Sequence, residues 1–220
     1  MSVAQGFKMT IQLRTAALLN PHLSLDGLLA AAIFKRTGDV EKAHADIPLS
    51  RRDGVWCGSS VQLERGHSVT AAFTQALRHR DFNSDRYSDH RKRGGRITVL
   101  IAGGQFKPAL DLSTPWIGKL AFLGHGDADA CMELVESLPG IGAKAAAHGF
   151  GRMEWVDVEP WETDGLSDQG RPLRSVPIET WKAWGHIVDD ECGVDMLRSA
   201  PPYWSGAPRP CVFPAPPARR

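Results

Sequence analysis

An α+β fold, with helices on one face of antiparallel sheets, is predicted by three features of the sequence. The first is element order: strand, helix and strands, then strand, helix, a glycine-rich stretch and a closing strand. The second is size, since 220 residues with 42% hydrophobic content suffice to bury a core as one large domain or two small modules. The third is Gly103-Gly104, a hairpin turn signal after which residues 106–112 can return antiparallel.

Residues 8–19 open the chain, with Met9, Ile11 and Leu13 alternating against Thr10, Gln12 and Arg14 as in a strand with one wet face. Pro21 closes this strand and Ser24 is a candidate N-cap. Apolar residues at helical spacing then run from Leu25 to Lys35, until Thr37 and Gly38 stop them. Asp26 lies in the first turn, where an acid is explained by capping and the helix dipole. Val55, Trp56 and Cys57 precede Ser59 and Ser60, and residues 61–64 alternate again, so this part reads as extended. Residues 96–102 form a strand, Gly103 and Gly104 a hairpin turn, and residues 106–112 an antiparallel return. Residues 117–123 make a further strand.

From Asp127 the period is helical, with Ala130, Cys131, Leu134, Val135 and Leu138 on one side and Asp127 and Asp129 in the first turn. Residues 153–158 alternate as a strand. The tryptophans from Trp155 onward read as core or interface rather than as base platforms, and seven prolines in the last twenty residues predict an irregular tail over 201–220. Tyr203, Trp204 and Phe213 would drape that tail on the body. The order of elements fits ferredoxin-like units.

The formal net charge is +1, from 26 Lys and Arg against 25 Asp and Glu. No window approaches about 18 consecutive apolar residues, and the first residues lack a basic-then-apolar signal pattern, so a soluble cytoplasmic protein with no membrane contact is expected. Cys57, Cys131, Cys192 and Cys211 stand 74, 61 and 19 residues apart without a C-x-x-C pair, which argues against structural zinc and a disulfide framework; no cofactor is expected.

Charge is unevenly placed. Arg78, Arg80, Arg86, Arg91, Lys92, Arg93 and Arg96 face three acids within residues 78–96, giving that segment +4 and leaving −3 on the rest. Such a positive stripe attracts polyphosphate, and His79, Tyr87 and His90 interleave rings that can stack on unpaired bases. A solvated loop is the competing explanation.

Glycines 140, 142, 149 and 151, with Lys144 and Arg152 among them, form the most informative stretch. Glycines let backbone N–H groups approach a phosphate, and a lysine supplies countercharge. No Walker A spacing is present, and a dinucleotide fingerprint would follow a strand and open a helix, the reverse of this context. Leu-Pro-Gly-Ile-Gly-Ala-Lys-Ala-Ala resembles the hairpin of helix-hairpin-helix DNA-binding motifs, but His148-Gly149-Phe150-Gly151 cuts the second helix short. A glycine turn with no ligand is the remaining reading.

A helix, then Gly-Ile-Gly-x-Lys, Gly-Phe-Gly and a strand, resembles the C-terminal glycine-rich loop of the RAMP superfamily of CRISPR-associated RNA-binding proteins. Pro21-His22-Leu23-Ser24-Leu25-Asp26-Gly27-Leu28-Leu29-Ala30, with Ile47-Pro48-Leu49, the Val55 to Ser60 stretch and Arg174-Ser175-Val176-Pro177-Ile178, is similar to the Cas-five-like subunit of type IV CRISPR effector complexes. This resemblance spans roughly residues 8 to 185.

It implies a RAMP-type ferredoxin-like (RRM-like) unit over 1–200, with a basic thumb-like hairpin inserted at about 74–115 and the tail beyond. The implied role is non-catalytic: binding guide RNA (crRNA), holding its 5′ repeat-derived handle and capping the backbone filament. Amides of Gly140, Ile141 and Gly142, with Lys144, His148, Gly149, Gly151 and Arg152, would cradle handle phosphates; the seven basic residues of 78–96 would track the guide; Ser59 and Ser60 are candidate polar contacts. Implied partners are crRNA, a multicopy Cas-seven-like backbone subunit and a type IV large subunit. Target DNA near its flanking motif, and a DinG-type helicase through the complex, complete the set. Two alternatives stay open. One is metal-independent endoribonuclease processing of precursor crRNA, drawing on His44, His67, His79, His90, His125 or His148. The other is a helix-hairpin-helix DNA-binding module.

Overall fold

The computed structural model describes residues 4–20, 22–75, 92–93, 96–97, 109–113, 115–142, 149–190, 192–199, 203 and 207–214; in 71–75, 92–93, 96–97 and 109–113 it describes backbone alone. The chain divides into two compact units, Met1–His67 with Trp116–Arg220, and Ser68–Pro115.

The first unit is built on β1 (Gln5–Leu13), α1 (Leu25–Thr37), α2 (Val40–Ala45), the short pair β2 (Arg51–Arg52) and β3 (Val55–Trp56), and β4 (Gln62–Ser68). It resumes with β9 (Trp116–Gly126), α3 (Ala128–Glu136) and β10 (Met153–Pro160). Its main sheet has the order β10-β1-β9-β4, and β1 pairs antiparallel with both β9 and β10. With α1 following β1 and α3 following β9, this is the β-α-β-β-α-β ferredoxin-like arrangement, and the predicted α+β class holds.

The alternation in β1 produces the core. Phe7, Met9, Ile11 and Leu13 are buried beside Leu25, Leu29 and Ile33 of α1, Leu120 and Phe122 of β9, and Cys131, Leu134 and Val135 of α3. Each such side chain removed from water contributes roughly 1.5–3 kcal/mol. Lys8, Thr10 and Gln12 point to the opposite, half-exposed face.

Helix α1 ends where expected: Gly38 adopts φ 69 and its N–H returns to the Phe34 carbonyl. Its start differs. Ser24 occupies the N-cap position, but its hydroxyl bonds Tyr203 Oη at 3.1 Å and caps no amide. Asp127 does cap α3, accepting the Ala130 N–H at 3.0 Å.

Beyond β10 come the ribbon β11 (Ser167–Asp168) with β12 (Arg171–Pro172), then β13 (Val176–Pro177), α4 (Ile178–Ala183), β14 (Cys192–Leu197) and β15 (Arg209–Pro214). The stretch 201–220, expected to be irregular, contains β15, the central strand of the sheet β13-β15-β14. Burial of Cys211 and Val212 favours the strand despite its prolines. β13 reaches only those two residues, so Pro210 and Pro214 face a ladder partner on β14 alone, as at a sheet edge.

In the second unit, β5 (Ala71–Gln75) pairs antiparallel with β8 (Ala109–Ser113), and β6 (Lys92–Arg93) with β7 (Arg96–Ile97). Arg96 and Ile97 pair backward with Lys92 and Arg93 across the two-residue Gly94-Gly95 connection, and 109–113 pairs with 71–75; residues 98–108 of the expected hairpin lie outside the described residues.

Candidate functional site

The end of β1 and the glycine-rich stretch are knitted together by hydrogen bonds. After α3 the chain passes Leu138 and Pro139, and the Ile141 N–H donates to the Gly151 carbonyl at 2.7 Å. Gly151 N–H donates to Ala16 O at 2.8 Å, and Arg14 N–H to Arg152 O at 2.8 Å. Thr15 closes the arrangement: its hydroxyl donates to Gly149 O at 2.8 Å and accepts the Arg152 N–H at 2.9 Å. Gly151 needs to be glycine twice over, since its φ is 66 and a Cβ would run into the Ile141 carbonyl oxygen.

This geometry decides what the loop offers. Ile141 is fully buried and its amide is engaged within the loop, so a phosphate at that amide would have to displace the bond to Gly151. The same applies to the amides of Gly151 and Arg152. Gly140 and Gly149 belong to the same stretch, and Gly142 is exposed at its end. Lys144 and His148 lie outside the described residues, as do Arg78, Arg80, Arg86 and Arg91; Lys92, Arg93 and Arg96 are placed as strand backbone alone.

Side chains supply the accessible charge here. Arg14 and Arg152, both exposed, line a cleft of about 580 Å³ with Glu136, Leu138, Pro139, Glu154 and Trp155. The ladder shifts register between Gln12 and Leu13, which pair with Trp155 and Met153 and leave Glu154 as the extra residue of a bulge. Such a bulge bends and twists the strand where it leaves the glycine loop. Trp155 stands on the sheet face away from α1 and α3, with Lys119 Nζ 4.9 Å over its ring. Sequence reasoning singled out Arg152 but passed over Arg14, Lys119 and Trp155. An Arg-Thr step ending a strand was the available signal for Arg14; nothing local distinguished Trp155 from the other tryptophans.

Ser59 and Ser60 lie elsewhere. Ser59 is fully buried; its hydroxyl accepts the Leu123 N–H at 2.8 Å and donates to Ser60 O at 2.9 Å, so it fastens the 57–60 segment to β9. Ser60 borders a smaller cleft of about 250 Å³ with His22, Arg198 and Tyr203.

Beside that second cleft is a buried ion pair. The Arg174 guanidinium donates to Asp26 Oδ1 at 3.1 Å and Oδ2 at 3.4 Å, to the carbonyls of Trp56, Gly58 and Ser199, and to Tyr203 Oη at 2.9 Å. Tyr203 O–H donates in turn to Asp26 Oδ2. Burial alone would lower the Arg174 pKa, but Asp26 and Tyr203 together, through charge and hydrogen bonds, outweigh it and hold the proton more firmly than usual. Burial, then the Asp26 charge, raises Tyr203 well above the ordinary phenol range. Asp26 is thus not a dipole partner on a helix surface; it fastens α1 to the C-terminal region.

Three of the histidines considered for acid-base chemistry have identified surroundings: His44, half-buried on α2, borders an apolar cleft with Gly27, Phe34 and Tyr203. His125 Nδ1 bonds Ser50 Oγ at 2.9 Å, and His67 is exposed on β4. His79, His90 and His148 lie outside the described residues. Among the described residues no group of His, Cys, Asp or Glu could hold a metal ion, and no helix is long and apolar enough to cross a membrane.

No family model and no curated protein matches the chain. Among solved structures it is similar to a chain of the cryo-EM structure of the type III-B Cmr-beta bound to cognate target RNA, at 12% identity and a TM-score of 0.39. The match covers 71% of this chain and 61% of that one, so this chain spans about three fifths of the length of the chain it matches.

Proposed function

We propose that the chain is a non-catalytic RNA-binding subunit of a type IV CRISPR ribonucleoprotein, holding the repeat-derived 5′ handle of the guide RNA. The observation that carries this reading is the placement of Arg14 and Arg152 at one cleft beside a self-closed glycine loop on a ferredoxin-like sheet. Two guanidinium groups held by adjacent backbone segments suit bidentate phosphate contacts, and such contacts position single-stranded RNA without chemistry on it. The basic sequence of residues 78–96, inserted within the second unit, would add sequence-independent attraction along the guide. The further partners are a multicopy backbone subunit, a large subunit, target DNA beside its flanking motif and a helicase acting through the complex, in the cytoplasm.

The test is to co-express the chain with its genomic neighbours and a repeat array, purify it, and sequence the bound nucleic acid. Discrete repeat-derived RNA in a multisubunit particle is the expected result. A chain that returns no RNA and binds arbitrary duplex DNA would overturn the reading in favour of a DNA-binding module. Conversion of precursor RNA to discrete products by the isolated chain would overturn its non-catalytic part.

A further inference from the structure

We propose that Trp155 is a stacking platform for one unpaired base of a bound single-stranded RNA, with Arg14 and Arg152 taking the adjacent phosphate. The inference rests on the RNA-binding reading above and adds the point at which a base is held.

Trp155 is 40% exposed although it lies in a strand next to β1. Its position follows from the register: Trp155 pairs with Gln12, and Gln12 with Lys119, so the three share the sheet face that α1 and α3 leave open. A large indole left in water on a strand is costly, and Lys119 above the ring offsets little of it at an exposed site. A nucleobase would cover the ring, and Lys119 and the two arginines would meet the charge that comes with the base.

Trp161, on the same strand's continuation, gives an internal comparison. It is 48% exposed with Lys8 Nζ 5.5 Å over its ring. There, however, Lys8 is tied to Glu64 at 2.6 Å, and Glu159 lies next to it across the β1/β10 ladder. A phosphate near Trp161 meets carboxylates and an occupied lysine, whereas one near Trp155 meets the cleft containing Arg14 and Arg152. Glu136 and Glu154 share that cleft and moderate its charge, so the contribution of the ring itself, which is blind to base identity, becomes the feature to measure.

The experiment is an equilibrium titration of the full chain with a fluorescein-labelled single-stranded RNA of mixed sequence, in the wild type and in Trp155→Ala, Trp155→Leu and Trp155→Phe. Trp155→Ala is expected to weaken binding roughly ten-fold, the scale of one lost base stack, without altering the salt slope, because no phosphate contact is removed. Trp155→Leu keeps apolar bulk without a π face and should lose as much; Trp155→Phe should recover most of the affinity. Wild-type affinity in a folded Trp155→Ala or Trp155→Leu would remove the platform and leave the RNA-binding reading standing. Failure of the wild type to bind the RNA would overturn both.

Discussion

Replacing Asp26 by asparagine removes one charge from the buried Asp26–Arg174 pair and leaves the side chain's shape almost unchanged. Arg174 is 1% exposed and Asp26 is fully buried, so the guanidinium would lose its counterion without gaining water. Its remaining acceptors are the carbonyls of Trp56, Gly58, Ser175 and Ser199 and the Tyr203 hydroxyl, none of them charged. Breaking a buried pair from one side costs about 3–5 kcal/mol, against a total of about 5–15 for a typical domain. Asp26→Asn should therefore lower the urea midpoint strongly and the Tm by roughly 6–20 °C for a chain of this size. The reverse single change, Arg174→Met, should cost a similar amount, because it strands the carboxylate. The double variant Asp26→Leu with Arg174→Met should recover most of the loss, since an apolar pair needs no counterion. Far-UV circular dichroism during urea unfolding reads all three. A loss below about 1 kcal/mol in Asp26→Asn, or a double variant no better than the singles, would refute the account of Asp26 as a fastener between α1 and the C-terminal region.

Gly151→Ala should open the glycine loop, because neither its φ of 66 nor the approach of the Ile141 carbonyl admits a Cβ; hydrogen exchange at the Ile141 amide should accelerate, while Gly170→Ala, with open space around it, should leave that amide protected. Arg152→Glu should weaken RNA binding and shallow the salt slope by about one, as expected for one phosphate contact, and an unchanged slope would move that phosphate elsewhere. Burial, followed by the Asp164 charge, pushes the Cys57 thiol up to about 11 from 9.0. The folded state thus holds this proton longer than the unfolded one, and its contribution is fully present below pH 9 and lost as pH rises to about 11. Tyr203, also raised, extends the loss further into alkali, so urea midpoints measured from pH 7 upward should fall beyond about 9, and less steeply in Cys57→Ala. Arg91→Glu, Lys92→Glu and Arg93→Glu together should weaken RNA binding and leave the circular dichroism spectrum unchanged; unchanged affinity would remove this segment from the RNA path.

The parts of the fold visible in the sequence are those fixed by local periodicity. Met9, Ile11 and Leu13 marked β1, the run from Leu25 to Gly38 marked α1, and Asp127 marked the start of α3. What escaped was decided by tertiary contacts or masked by stronger local signals. Helix α2 is six residues long and follows immediately on the Gly38 stop, so only the Asp39 carboxylate, which accepts the Glu41 and Lys42 amides, announces it. In β15 the prolines hid a strand that exists because Cys211 and Val212 are buried. Asp26 and Arg174 stand 148 positions apart, and no spacing rule joins them. At the candidate site, the glycine stretch was conspicuous in the sequence, but the amides of Ile141, Gly151 and Arg152 are engaged in closing the loop. The exposed cations beside it, Arg14 above all, were brought there by the end of β1.

The most direct test of RNA binding at the glycine-loop end of the sheet is ultraviolet cross-linking of the full chain to single-stranded RNA, with the linked peptides mapped by mass spectrometry. Cross-links within residues 138–156, together with the peptide containing Arg14, are the predicted result. RNA bound and cross-linked solely to peptides of the C-terminal sheet, β13 to β15, would contradict it.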